Sequence, residues 1–120
     1  MKKKLFAAFI AIILICAAAI WACLDTGGVP VLNYHQINDR DHNSLTVSTT
    51  EFDQQMKYLK DNGYHTITPA ELMDWAQNGT PLPDKPVVIT LDDGYIDNYE
   101  EAYPILKKYN LKATIFVITD

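Results

Sequence analysis

Beyond residue 24 the chain has no cysteine; its two, Cys16 and Cys23, fall before that point. The remainder therefore has no disulfide scaffold and must hold itself by packing. Positive charge is nearly as scarce. Of 10 basic residues, three are Lys2, Lys3 and Lys4, and no acid precedes Asp25. From Asp25 onward 7 basic residues face 15 acidic ones, a net of −8. That balance excludes nucleic acid as a partner, because phosphates need basic groups. It also disfavours a polyanionic substrate and fits a neutral or cationic one better. Low-complexity tracts and internal repeats are absent too. With 48% apolar residues there is material for a real core, and wholesale disorder is excluded.

The front of the chain has the long hydrophobic run. Leu5 to Leu24 is apolar for 20 residues without a charge, or roughly 30 Å as a helix, enough to span a bilayer. The flanking lysines should stay cytoplasmic. Residues 1–24 read as a signal peptide cleaved near Ala17 to Ala22, or as an uncleaved signal anchor. The length of the run leans to the anchor. Ile20-Trp21-Ala22-Cys23 has a faint likeness to a lipoprotein cleavage box, although Trp21 fits it poorly. Either fate puts residues 25–120 outside the cytoplasm, secreted or held to the membrane through residues 5–24, in a bacterial cell envelope.

The rest alternates. Gly27-Gly28 is a short joint. Val29 to Tyr34 reads as a strand, and His35 to Ser48 as a polar loop. Ser48 and Glu51 form a capping box for a helix whose stripe is Phe52, Met56 and Leu59, ended by Gly63. Tyr64 to Ile67 is a second strand. Thr68-Pro69-Ala70-Glu71 opens a second helix with Leu72, Met73, Trp75 and Ala76 as its apolar face, ended at Asn78-Gly79. Val87 to Leu91 is a third strand. A third helix lies within Asn98 to Tyr109, kinked or restarted at Pro104. Ala113 to Ile118 is a fourth strand. Strand and helix in turn imply an α/β fold of right-handed parallel crossovers. The apolar strand Ile115 to Ile118, followed by Asp120, reads as the edge of a larger domain, of which residues 25–120 are the front part.

The chemistry concentrates at Val87-Val88-Ile89-Thr90-Leu91-Asp92-Asp93-Gly94. A β-branched run ends in two acids and a glycine, at the strand end where α/β folds bind ligands. Two charges beside a dry strand are costly unless they bind something. Neighbouring strand residues point to opposite faces, so the acids converge only if the strand breaks, and Gly94 permits that break. Converged, one acid suits a divalent metal and the other a general base; a metal makes its water acidic near neutrality, and a nearby carboxylate can take the proton. A polar turn with a helix cap is the plainer alternative.

Thr90-Leu91-Asp92-Asp93-Gly94 resembles the first motif of the polysaccharide deacetylase family, the NodB-like and chitin deacetylase-like carbohydrate esterases, with Leu91 where the family has phenylalanine. Val29 to His35 resembles the opening strand of its poly-N-acetylglucosamine deacetylase branch. Phe52 to Gly63, Pro83 to Pro86, Tyr103 to Leu106 and Lys112 to Val117 match that branch in order and spacing. The resemblance runs from about Val29 to the end. It implies the N-terminal part of a distorted (β/α) barrel. It implies a metal-dependent hydrolase that removes N-acetyl groups from a cell-surface or matrix polysaccharide, with Asp92 as catalytic base and Asp93 as ligand of a divalent metal such as zinc. The family's remaining ligands, two histidines of a His-x-x-x-His motif, are not in these 120 residues, nor are its later arginine and acid-histidine motifs. The fragment alone is therefore expected to be inactive. A carbohydrate-binding module without catalysis and a glycoside hydrolase are the alternatives.

His35 ends the first strand on the rim of the acids, and Tyr95 flanks them and can stack on a sugar; both are candidates for the substrate side of the site. His42 reads as solvated and His65 as structural. Trp75, Tyr99, Tyr103 and Tyr109 have helical spacing and read as core.

Overall fold

A computed structural model describes residues 10, 12–19 and 27–119. Residues 20–22 of the expected cleavage region and most of the rest of the leader lie outside the described residues. Residues 12–19 are helical, and among the described residues no helix is long and apolar enough to cross a membrane.

The structure is a mixed α/β arrangement with parallel strands. Strand β1 (Val31–Tyr34) is followed by two short strands, β2 (Gln36–Ile37) and β3 (Thr46–Val47). Next come helix α1 (Thr49–Asp61), β4 (His65–Ile67), helix α2 (Pro69–Asn78), β5 (Pro86–Asp93), a π turn (Asn98–Ala102), helix α3 (Tyr103–Tyr109) and β6 (Thr114–Val117). Strand β5 is central and pairs in parallel with three others. Its 88–91 stretch pairs with β1, its 86–88 stretch with β4 and its 90–93 stretch with β6. β1 and β4 lie on opposite edges of β5.

Why these residues form these elements is largely local. Ser48 caps α1: its hydroxyl accepts the Glu51 N–H, and the Glu51 carboxylate reaches back to the Ser48 N–H. Thr68 and Glu71 repeat the device at α2, with Pro69 in the first turn. Each satisfies backbone donors that a helix start leaves open. On β5, Val87, Ile89 and Leu91 share one face and bury against Phe52, Met56, Leu59 and Leu106, so α1 and α3 cover the same side of the sheet. Burying each such side chain contributes about 1.5–3 kcal/mol. Lys108 and the Tyr109 hydroxyl both reach the Asp53 carboxylate, tying α3 to α1.

Three expectations need correction. The stretch 35–48 is not all loop, because β2 and β3 pair in parallel, Gln36 with Thr46 and Ile37 with Val47. Ile37 is the reason: it is fully buried under the sheet's helical side, and a buried backbone must find partners. Helix α2 buries none of its residues, so Leu72, Met73, Trp75 and Ala76 form no core face; Trp75 is 39% exposed. Tyr99 and Tyr103 are likewise exposed, stacked on each other at 6.0 Å between ring centroids, while Tyr109 does pack against the core. Helical spacing says which residues share a stripe and not which stripe faces inward.

At Pro104 a kink and a restart were both open. The chain meets it by restarting. Proline has no N–H and its ring collides with the carbonyl four residues back. Here the turn before it widens, and the Tyr103 N–H bonds to the Asn98 carbonyl, five residues back. Regular α-helix then runs to Asn110, whose left-handed backbone ends it.

Candidate active site

The face of β5 opposite the helical core carries Val88, Thr90 and Asp92. On the neighbouring strand Asn33 lies in register with Thr90. The Asn33 amide donates to the Thr90 hydroxyl at 2.9 Å and to Asp92 Oδ2, also at 2.9 Å. Asn33 therefore fixes the rotamer of Asp92 from a second strand. His35, one residue past β1, brings Nε2 to 3.9 Å from the same Oδ2. Both side chains are partly exposed, so the pair meets solvent.

Asp93 is reached differently. The acids are not past the strand but its last two residues, with Asp92 in register with Phe116 and Asp93 with Val117. The break falls on Asp93 itself, at φ 70°, as well as on Gly94, at φ 69°. Two successive left-handed residues turn the chain out of the pleat. Asp93 thereby faces the same concavity as Asp92 instead of the opposite side of the sheet. Asp and Asn tolerate this conformation better than other non-glycine residues, although it still costs about 1 kcal/mol or more. At Gly94 a Cβ would stand 3.1 Å from a Val117 methyl, so both shape and dihedral call for glycine there.

The concavity holds about 600 Å³. Asp92, Asp93, Asn33 and Thr90 form its polar part, and Val31, Leu72, Val88, Phe116, Val117 and Ile118 are among its apolar walls. Of the residues singled out in the sequence, Asp92 and Asp93 are brought together and His35 stands beside them. Tyr95 is half-exposed on the loop beyond Gly94 and does not line the concavity. His42 is exposed. His65 opens β4, with Nδ1 2.8 Å from the Asp84 carbonyl, away from the acids. A larger apolar groove of about 620 Å³ lies between β1 and α1 and holds no pair of acids.

As a metal site the described chain is incomplete. Asp93 has suitable chemistry, an anionic oxygen at a concave face. Among the described residues, however, no three His, Cys, Asp or Glu side chains stand close enough to hold an ion.

Sequence reasoning missed Asn33, Asn38, Asp97 and Asn98. Asn33 carried a signal: it is the polar residue inside the apolar run Val31-Leu32-Asn33-Tyr34, and such a residue needs a partner. Asp97 and Asn98 read as the polar start of a helix, and both are buried.

Known proteins resemble the chain in both sequence and fold. Residues 79–120, which include the acid pair, match the family model described as polysaccharide deacetylase. The protein YxkH of Bacillus subtilis (strain 168), which carries a polysaccharide deacetylase name, is 51% identical over 90 residues, covering 75% of this chain and 32% of its own. The poly-beta-1,6-N-acetyl-D-glucosamine N-deacetylase of Escherichia coli (strain K12) is 33% identical over 88 residues, covering 72% of this chain and 13% of its own. The solved structure of the Streptococcus pyogenes deacetylase PplD in complex with acetate superposes with a TM-score of 0.70 at 42% identity, covering 76% of this chain and 42% of that one. The chain thus spans about a third of the length of the first of these relatives, and less of the second. With the acid pair inside the matched segment and the parallel sheet shared with a solved deacetylase, the chain belongs to the polysaccharide deacetylase family and represents part of the length of its members.

Proposed function

We propose that the protein to which this chain belongs removes N-acetyl groups from a polysaccharide, with N-acetylglucosamine units as substrate, and that this chain supplies the base and one metal ligand. The observation that carries the reading is the convergence of Asp92 and Asp93 on one concave face. A strand end would normally send them apart, and a strained backbone is spent on bringing them together. The family relatives named for N-acetylglucosamine polymers support the substrate class, and the acidic balance of the chain suits a neutral glycan. The parallel sheet supports a (β/α) barrel in the whole domain.

Asp92 is the general base. Its Oδ2 is held by Asn33 and faces His35, which leaves Oδ1 to take a proton from the attacking water. Asn33 stops the carboxylate from swinging away. Asp93 presents its carboxylate beside it as a ligand. The family depends on a divalent metal, for which zinc is the proposed ion; when bound it polarises water and stabilises negative charge on the amide oxygen. Val31, Val88 and Phe116 form an apolar wall beside the acids, and Tyr95 offers a ring for a sugar at the mouth. Asp93 would be one ligand among several, the others supplied from outside these 120 residues.

The leader supports an envelope location: outward-facing and anchored through residues 5–24, or released after cleavage near residues 17–22. Membrane fractionation with protease accessibility from outside tests it, and recovery of the intact leader in the cytosol refutes it.

The site is tested in the whole enzyme by acetate release measured beside metal content. Asp92→Asn should keep its metal and lose turnover by roughly 10²–10⁴. Asp93→Asn should lose metal and activity together. Full activity of Asp92→Asn removes the base assignment. Sugar binding without acetate release in the parent enzyme supports the binding-module alternative.

A further inference from the structure

Beside the acids lies a buried polar network that the proposed chemistry does not use. Asn38, Asp97 and Asn98 are 3%, 3% and 2% exposed. Asn38 Nδ2 donates to Asp97 Oδ2 at 2.7 Å, and Asn98 Nδ2 donates to Asp97 Oδ1 at 3.2 Å. The same Asn98 Nδ2 donates to the His35 backbone carbonyl at 2.8 Å. Asn38 in turn accepts the N–H groups of Arg40 and Asp41 on its own Oδ1. One carboxylate thus joins the loop after β5 to the segment carrying His35.

Two features say that this network does more than fill space. Asp97 is a buried carboxylate whose observed partners are amides, with no ion pair among the described residues, an expensive choice. And Asn98 Oδ1 is buried without a hydrogen-bond partner. Turning the amide over would satisfy nothing, because the oxygen would then face the His35 carbonyl and the Asp97 carboxylate. A buried unsatisfied carbonyl costs about 1–3 kcal/mol. A leucine of similar size would avoid that cost, so a contribution to packing does not explain asparagine. The π turn begins at Asn98, and such turns are frequent at functional sites.

We propose that Asn98, oriented by Asp97 and Asn38, is a positioning residue that holds His35 against Asp92. The proposal rests on the reading of Asp92 as the base, but its test needs no turnover. The chain has three histidines, His35, His42 and His65, so histidine-selective labelling gives a sparse spectrum. At one fixed pH, Asp92→Asn in the whole enzyme should shift the His35 ring signals well beyond those of His65. In an Asn98→Leu background the His35 response to Asp92→Asn should fall by about threefold or more, with His65 unmoved. Asp97→Asn, which keeps the volume and removes one acceptor oxygen, should weaken the response in the same direction. An undiminished response in either background overturns the proposal. Loss of folding in both variants also overturns it, since the network is then a stability element only. A failure of deacetylation in the whole enzyme, with this coupling intact, would instead count against the function proposed above.

Discussion

Asp93 and Gly94 carry the sharpest conflict between backbone comfort and chemistry. Both hold positive φ, and only one of them is glycine. Asp93→Gly should therefore stabilise the fold by about 1 kcal/mol while removing the carboxylate proposed as a metal ligand. Gly94→Ala should destabilise by about 1–2 kcal/mol, because the new Cβ meets Val117 and enters a disfavoured backbone region. Chemical denaturation of the two variants beside the parent checks both signs. If Asp93→Gly is the less stable protein, the strain reading at Asp93 is wrong. The acid pair was legible in the sequence because charge after an apolar strand is conspicuous. The residue that bends was not. Glycine's freedom is known in advance, whereas an aspartate in the left-handed region is decided by what the fold asks of it.

At the scale of elements, helix α2 is held to the rest of the structure by polar contacts rather than by a buried face. Glu71 is the hub. Its carboxylate accepts the Thr68 N–H and hydroxyl in the capping box, and Lys112, at the entry to β6, reaches both of its oxygens at 3.1 and 2.9 Å. The Thr68 backbone bond, followed by Lys112, lowers the Glu71 pKa to about 2. A carboxyl depressed in this way adds stability above its ordinary pKa of 4.5, and that stability is lost as pH falls toward 2. Amide exchange in α2 should therefore quicken between pH 4.5 and 2 before exchange in α1 does. Glu71→Gln should flatten that dependence. Because the carboxylate is well exposed, the effect is local and modest. Equal exchange of the two helices through this range would show that α2 is anchored some other way. The caps of α1 and α2 were readable to the residue, since capping is a short-range matter. The inward face of α2 was not readable, because it depends on what stands opposite.

Taken whole, the structure puts its apolar strand β6 at the surface. Ile115, Phe116, Val117 and Ile118 are all exposed, and three of them line the concavity with the acids. An exposed apolar strand is a pairing and aggregation site. Residues 25–120 alone should accordingly self-associate and melt without a sharp transition. Phe116→Lys should raise their solubility, as read by size-exclusion chromatography and thermal unfolding. A monomer with a cooperative melt would contradict this. The strand order within the α/β alternation was legible from spacing. The three-fold partnering of β5 was not, because neighbouring strands in a sheet are chosen by packing across the whole sheet.

The π turn before Pro104 has a consequence for chain length. Asn98, Ala102 and Leu106 are the buried positions of this segment, each four residues from the next. In a regular helix two steps of four overshoot by about 80°. The wide turn absorbs the excess and keeps Asn98 in phase with Leu106. It behaves as a single-residue insertion confined to one turn. Removing the exposed Glu100 together with Pro104→Ala should close it into ordinary helix, leaving the anchors at spacings of three and four and the core undisturbed. The residue count between Asn98 and Leu106 is then a setting rather than a requirement, and relatives one residue shorter there and without the proline would keep the same inward stripe with an unbroken helix.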